Sequence, residues 1–437
     1  MPPTGLQAPA QWSQAPNALV WPKENWWDNY QAPQLSELMT QARASNLDLA
    51  SAATRILQAD AQLRQSGASL LPQVDGTVSG RRAGTHGQNN SAVGNSFNAA
   101  INASYEVDFW GRNRATVTAA EANLQAGRYD LEAVAISTEA SVANTWFKLV
   151  ENHARLQLAQ DNLKAAEQVL AIVEARYRYG ADDSLAVSQQ RALVAQLRAN
   201  LPTLQQQSLQ LRNSLALLLG KGPDFQVQKI PSLNHIQVPE PGAGLPSELL
   251  ARRPDVRATE QRLLAANANL TAARAALYPS IQLTGSYGAQ SSSLSDLVSN
   301  PVNPWSLVAG LTQPIFNAGR LRAQVDLTSA TEQESLIGYQ QVILDALVDA
   351  DTALGALHQA RLQYQLQETA TAEAERAFEL GQARYKAGAI DLQNLLDTQR
   401  SYFQSLDMLV QQRAAWLLAT VDLYRALGGG WQDVGVS

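Results

Sequence analysis

A run of 67 residues from Asn113 to Tyr179 contains no proline and a single glycine, Gly127. Ala, Leu, Gln, Glu and Arg dominate it, side chains that lose little rotamer freedom in a helix. The run predicts one unbroken helix of roughly 100 Å at about 1.5 Å per residue, far longer than an ordinary globular helix. Val142, Leu149, Leu156, Leu163, Leu170 and Tyr177 recur every seven residues along it, and Ala159, Ala166 and Val173 each stand three after a Leu. This is a coiled-coil seam whose small residues let a partner backbone come close. At Gly180 the run meets the left-handed residue that ends helices, and Asp182, Asp183 and Ser184 offer caps for a following one. A tight reversal is expected there.

The same object occurs again. Arg320 to Ala387 is a second proline-free run, with Leu336, Ile343, Ala350, Leu357, Tyr364, Phe378 and Tyr385 on the heptad spacing and Gly388 at its end. Gly111, Gly180 and Gly220 each recur 208 residues later, as Gly319, Gly388 and Gly428. Two copies are too few for a solenoid, so the chain reads as an internal duplication. We place the first repeat at 45–220 and the second at 248–428, with an N-terminal arm (1–44), a proline-rich linker (221–247) and a tail (429–437) forming a girdle around the middle. In the arm, Trp12, Trp21, Trp26 and Trp27 are expected to lie on the body. Linker residues 225–228 suggest a short strand. In each repeat, the helix before the reversal is flanked by two shorter ones, 45–70 and about 185–219 in the first copy, which can stack end to end beside it.

Between the helices the apolar period changes from seven to two. In 97–109 the odd positions read Phe97, Ala99, Ile101, Ala103, Tyr105, Val107 and Phe109, whereas Asn98, Asn102, Glu106 and Asp108 occupy even ones. Such alternation makes a strand with one apolar and one polar face. It pairs by expectation with a strand around Val74, Gly76 and Val78 across a polar loop, Arg81–Asn95. The second copy repeats the hairpin, with Ile281, Leu283, Tyr287 and Ala289 on one strand and Trp305 to Ile315 on the other. These strands reach the roughly 9–11 residues that cross a bilayer. Four strands in one chain cannot close a barrel. A trimer, with about twelve, is the smallest assembly with room for a passage. The fold class is therefore α+β: long helices forming a coiled-coil tunnel, plus β-hairpins contributing four strands per chain to a trimeric transmembrane barrel. A soluble coiled-coil scaffold is the alternative, and it leaves the period-two hairpins unexplained.

Composition narrows the function. The net charge of −6 is unsegregated and gives no signature for nucleic acid. There is no cysteine, and His86, His153, His235 and His358 lie in unrelated segments, so neither thiol chemistry nor a zinc spacing is present. Gly220-Lys221-Gly222 is helix punctuation rather than a Walker motif. No enzyme activity, cofactor or metal is expected. No run of 18 apolar residues exists, which excludes a transmembrane helix. No signal peptide follows Met1, as in a cytosolic protein or a mature form.

Four motifs carry a resemblance: GLPSELLARRPDV at 244–256, Tyr278-Pro279 with Ile281, Leu283, Thr284 and Gly285, Pro314-Ile315-Phe316 with Gly319-Arg320, and Tyr105-Glu106 with Asp108, Trp110, Gly111 and Arg112. In their combination the chain closely resembles the TolC-like outer-membrane factors of tripartite efflux systems, nearest to the OprM/NodT lipoprotein subgroup that serves RND pumps. The resemblance covers essentially the whole chain. It implies a homotrimer in the outer membrane of a Gram-negative bacterium, with a long periplasmic portion, docked to a periplasmic adaptor and an inner-membrane RND pump. It also implies an acylated N-terminal Cys where this chain has Met1, so lipid attachment stays open.

The site expectations follow. The alternation turns Asn98, Asn102, Glu106 and Asp108 to the lumen. The reversals at Gly180 and Gly388, with Arg178, Ala181, Lys386 and Ala389, become adaptor-docking tips by resemblance. Asp397 lies roughly 200° around its helix from the seam residue Leu395 at about 100° per residue, so it faces away from the packing, toward outer solvent or the lumen. The resemblance assigns Asp397, Arg400 and Tyr385, with Asp182 and Asp183, to a gate at the periplasmic entrance. Asn394 and Gln393 stand where some relatives carry a further gate Asp or a Leu.

Overall fold

The computed structural model describes residues 9, 11–13, 21–86, 91–227 and 229–431. Its elements, in order, are α1 (Pro33–Ser45), α2 (Leu47–Ala68), β1 (Gln73–His86), β2 (Ser91–Val107), α3 (Arg112–Arg178), α4 (Ser184–Leu218), α5 (Pro246–Arg252), α6 (Pro254–Ala275), β3 (Ser280–Ser291), α7 (Asp296–Ser299), β4 (Trp305–Thr312), α8 (Arg320–Lys386) and α9 (Leu392–Ala426). Both long runs are single helices of 67 residues. The chain divides into two compact units. One gathers Thr54–Tyr129 and Arg257–Gln341, the other Gly5–Ala53, Asp130–Val256 and Val342–Ser437.

The first unit holds the sheet. Among the described residues the four strands are antiparallel in the order β1-β2-β3-β4, so the two hairpins join through β2 and β3, and β1 and β4 keep free outer edges. Register decides which side chains share a face, because directly opposed residues point the same way. Asn98 lies between Ser79 and Gln290, Asn102 between Asp75 and Ser286, and Glu106 opposite Gln282. Ile101 lies between Gly76 and Tyr287, and Ala103 between Val74 and Gly285. One face is thus polar across the strands and the other mainly apolar, and Ile101 on the second is 59% exposed. Small residues, Ala119 and Ala122 of α3 with Ala265 and Ala268 of α6, pack these two helices together.

Several strand limits differ from expectation. The first hairpin is longer: the ladder continues through Arg81↔Ser96 to His86↔Ser91, in place of a loop over Arg81–Asn95. Residues 87–90 lie outside the described ones. β4 stops at Thr312 rather than Ile315, because Pro314 has no N–H to give a ladder. The short helix α7 in the β3–β4 connection carries no periodicity that a sequence reading could detect.

The second unit holds an extensive aromatic and aliphatic core. Trp26, Trp27, Tyr30, Leu35, Met39, Val142, Trp146, Phe147, Leu149, Leu215, Leu417 and Tyr424 bury one another there. The indoles expected to lie on the body do so: Trp26 stacks on Tyr424, and the Trp12 indole donates to the Gly244 carbonyl at 3.1 Å. The stretch expected as an extended arm, however, carries α1. Pro33 sits at its start, and Leu35, Leu38, Met39 and Ala42 supply a 3–4 spacing that buries one face. Residues 225–227 form no strand, and Gln228 lies outside the described residues. The linker is pinned instead by Arg413 of α9, whose guanidinium donates to the Leu233, Asn234 and Ile236 carbonyls at 3.1, 3.2 and 3.1 Å.

The duplication is visible in the helix ends. Asn46, between α1 and α2, donates to the Leu218 carbonyl at 2.8 Å, and Arg253, between α5 and α6, donates to the equivalent Ala426 carbonyl at 3.0 Å. Gly220 (φ 64°) and Gly428 (φ 86°) close α4 and α9 against those same junctions. A Cβ there would come within 2.2 Å of the Ser45 carbonyl oxygen and 2.4 Å of the Arg252 one. Arg253, in the GLPSELLARRPDV motif, does more than Asn46. It also binds Asp255 at 2.7 and 3.1 Å and Asp349 of α8 at 3.0 Å.

The sheet register carries a prediction. Asn102→Cys is expected to resist a lipid-soluble thiol probe that modifies Ile101→Cys in membranes, because a one-residue slip would place the Asn98 and Asn102 amides in hydrocarbon at roughly 2–7 kcal/mol each, and the charged Glu106 with them. Modification of the 102 variant in preference to the 101 variant would overturn the facing.

Candidate functional site: helix reversals and the α9 charge pair

Both reversals end their long helices in the same way. Gly180 and Gly388 have φ of 74°, and the following amides reach back, Ala181 to the Arg176 carbonyl and Ala389 to that of Arg384, each at 2.9 Å. This is the Schellman arrangement, which satisfies the orphan carbonyls of a helix end. Asp183 then caps α4 by accepting from the Ala186 amide at 2.8 Å, and Asp391 caps α9 through the Asn394 amide at 2.9 Å. Asp183 is therefore occupied as a cap. Arg178, Ala181, Lys386 and Ala389 are exposed at the turns in this chain.

Asp182 has no such duty and becomes the hub of a cluster. The Tyr385 hydroxyl donates to it at 2.5 Å, and Arg176 grips it with Nε at 2.9 Å and Nη2 at 3.4 Å. The same guanidinium lies 4.7 Å from the Tyr385 ring centroid and donates to the Tyr385 carbonyl at 3.3 Å. Tyr385 is 1% exposed, packed with Val169, Val173, Val187, Leu392, Leu395 and Leu396. Burial first, then the bond to the Asp182 carboxylate, pushes its hydroxyl far above the ordinary tyrosine value, so it stays a donor. Arg176 is the member that sequence reasoning missed. Its only signal is a basic residue in the last turn of α3, six before Asp182, a spacing that becomes a contact only once the chain reverses.

Asp397 and Arg400 form a separate pair. Arg400 donates to Asp397 at 2.8 Å, Gln393 donates to it at 3.2 Å, and the Asp397 and Arg400 side chains are 59% and 53% exposed. No bond joins them to Asp182 or Tyr385 among the described residues.

At the other end of α3, Asp108 departs from its expected place. β2 ends at Val107, and the Asp108 carboxylate accepts from the Asn113 and Arg114 amides at 2.9 Å each, so it caps α3 instead of facing a lumen from a strand. Asn98, Asn102 and Glu106 remain on the polar face. Asn102 donates to the Thr77 hydroxyl at 3.0 Å, and Glu106 is paired with Arg112 at 2.7 Å. Trp110 stacks on Tyr278 and donates to the Pro279 carbonyl at 2.8 Å, tying the end of the sheet together. Among the described residues no group of acids and histidines could hold a metal ion.

An exposed apolar sheet face on a duplicated scaffold of very long helices is the combination found in outer-membrane channels, whose membrane part is a β-barrel. The family model for outer membrane efflux proteins matches residues 38–221 and 245–429, and the chain belongs to that family. It is 39% identical to the pyoverdine export outer membrane protein OpmQ of Pseudomonas putida, over 99% of this chain and 94% of that one. It is 33% identical to the cation efflux system protein CusC of Escherichia coli, over 97% and 94%. Among solved structures, the outer-membrane channel OprN superposes with a TM-score of 0.92 at 25% identity, covering 97% of both chains. The protein is an outer-membrane component of an efflux system, with the helical-tunnel and β-barrel fold of TolC-like channels.

Proposed function

We propose that three copies of this chain close into one passive duct from periplasm to exterior, gated at its periplasmic entrance. The free β1 and β4 edges carry the reading. Unpaired ladder groups cannot remain in a bilayer, and pairing β4 of one copy with β1 of the next leaves the apolar face toward lipid and the polar face toward water. Exposed Ile337, Leu344, Val348, Leu362, Leu366 and Leu380 on α8, on a heptad-like spacing, offer a seam for the neighbouring copy's helices. Asp397, Arg400, Tyr385 and Asp182 constrict the entrance, and the turns at Gly180 and Gly388, with Arg178, Ala181, Lys386 and Ala389, receive a periplasmic adaptor. No nucleotide-binding motif lies in the chain, so an inner-membrane RND pump supplies the energy. The test is reconstitution of the purified protein in planar bilayers after its mass in detergent is measured. A trimer with discrete conductance steps is expected. A detergent-free monodisperse rod without conductance would establish a soluble scaffold instead.

A further inference from the structure

One side chain on the α9 turn that bears Asp397 and Arg400 is out of keeping with its place. Gln399 is wholly buried, and neither its Oε1 nor its Nε2 has a protein partner. Helix periodicity asks for an apolar residue there, since Gln399 stands four after Leu395, three after Leu396 and four before Phe403, all buried. Two apolar clusters join α3, α4 and α9 at this end. Val169, Val173, Val187, Leu395 and Leu396 belong to one, and Ala166, Val194 and Phe403 to the other. Gln399 and, on α4, Gln190 fall between them. Gln190 donates Nε2 to the Ala166 carbonyl at 2.8 Å, while its Oε1 is also unpaired. One level of an otherwise apolar seam is therefore built from amides. A buried amide without a partner forfeits its bonds to water. Toward α8 the contact of α9 is close, because a Cβ on Gly381 would meet the Thr398 hydroxyl at 2.9 Å.

We propose that Gln399 is a positioning residue for the entrance: its unpaired amide weakens the packing of α9 against α3 and α4, so the α8–α9 hairpin can leave that packing when the adaptor binds. The inference rests on the gate reading of Asp397, Arg400 and Tyr385. Moving α9 outward returns the amide to water, and an aliphatic side chain gains nothing comparable. Relief of such a penalty corresponds to about a tenfold change in the ratio of the two arrangements.

The experiment uses the full chain, with Gln399→Leu and the unbranched Gln399→Met, in planar bilayers with potassium chloride as the only solute, alongside thermal unfolding in detergent. Both variants are expected to melt higher than wild type and to spend about one tenth as much time at the open level, with the open-level conductance itself unchanged. An unchanged open fraction in both overturns the proposal. So does lower melting or loss of folding in both, which would mean that the amide stabilises the packed arrangement. Failure of the gate reading shows differently, as wild-type conductance in a protein carrying Asp397→Ala and Arg400→Ala.

Discussion

Asp397→Ala combined with Arg400→Ala is expected to raise single-channel conductance several-fold and to let large antibiotics enter cells, while thermal stability stays within about 1 kcal/mol of wild type. In one chain the two side chains form an exposed i,i+3 pair, and such pairs contribute roughly 0–1 kcal/mol to stability. Their effect belongs to the assembly. In the trimer proposed above, threefold symmetry would bring three Asp397 carboxylates toward one axis, where their charge draws in cations or Arg partners. If the pair constricts the entrance as proposed, removing both charges opens it without disturbing the core packing of α9 through Leu395, Leu396 and Phe403. Adding Asp182→Ala should open it further, because that carboxylate accepts from both Arg176 and the Tyr385 hydroxyl. Wild-type conductance in an intact trimer would leave Asp397 as a surface acid.

Arg253→Ala is expected to lower the stability of the fold by about 1–3 kcal/mol. Burial by itself would lower the Arg253 pKa, but the bonds to Asp255 and Asp349 outweigh it and hold the guanidinium above its ordinary value, hence charged. Its side chain is only 12% exposed, so truncation removes a buried guanidinium that Asp255, Asp349 and the Ala426 carbonyl all accept from. Arg425, 3.0 Å from Asp349, compensates for one of them in part. Arg253→Lys keeps the charge but loses the planar fork that reaches three partners at once, and should recover less than half of the loss. Denaturant unfolding in detergent measures both. An Arg253→Ala protein with wild-type stability would show that the motif is not a clamp.

Much of the fold was legible in one dimension because its determinants repeat locally. A heptad needs only the helix period to be read, a change to period two marks a strand, and glycines at 180, 220, 388 and 428 stop helices for a reason each carries in its own backbone. Asp183 and Asp391 cap the helices that follow, again within a few residues. Tertiary structure decided whatever depends on chain segments far apart in sequence. The union of two hairpins through Phe97↔Ser291 to Val107↔Ile281 is a long-range pairing that no local pattern specifies. Arg176 gained its role because Tyr385, 209 residues away, arrives beside it. Asp108 reads as the last polar residue of an alternating strand over 97–109, yet two amides of the next helix compete for its carboxylate and win, since orphan donors at a helix start need an acceptor more than a strand needs further residues. Gln399 likewise looks like any polar residue in a helix. Only the packing of α9 against α3 and α4 put its amide where water cannot follow.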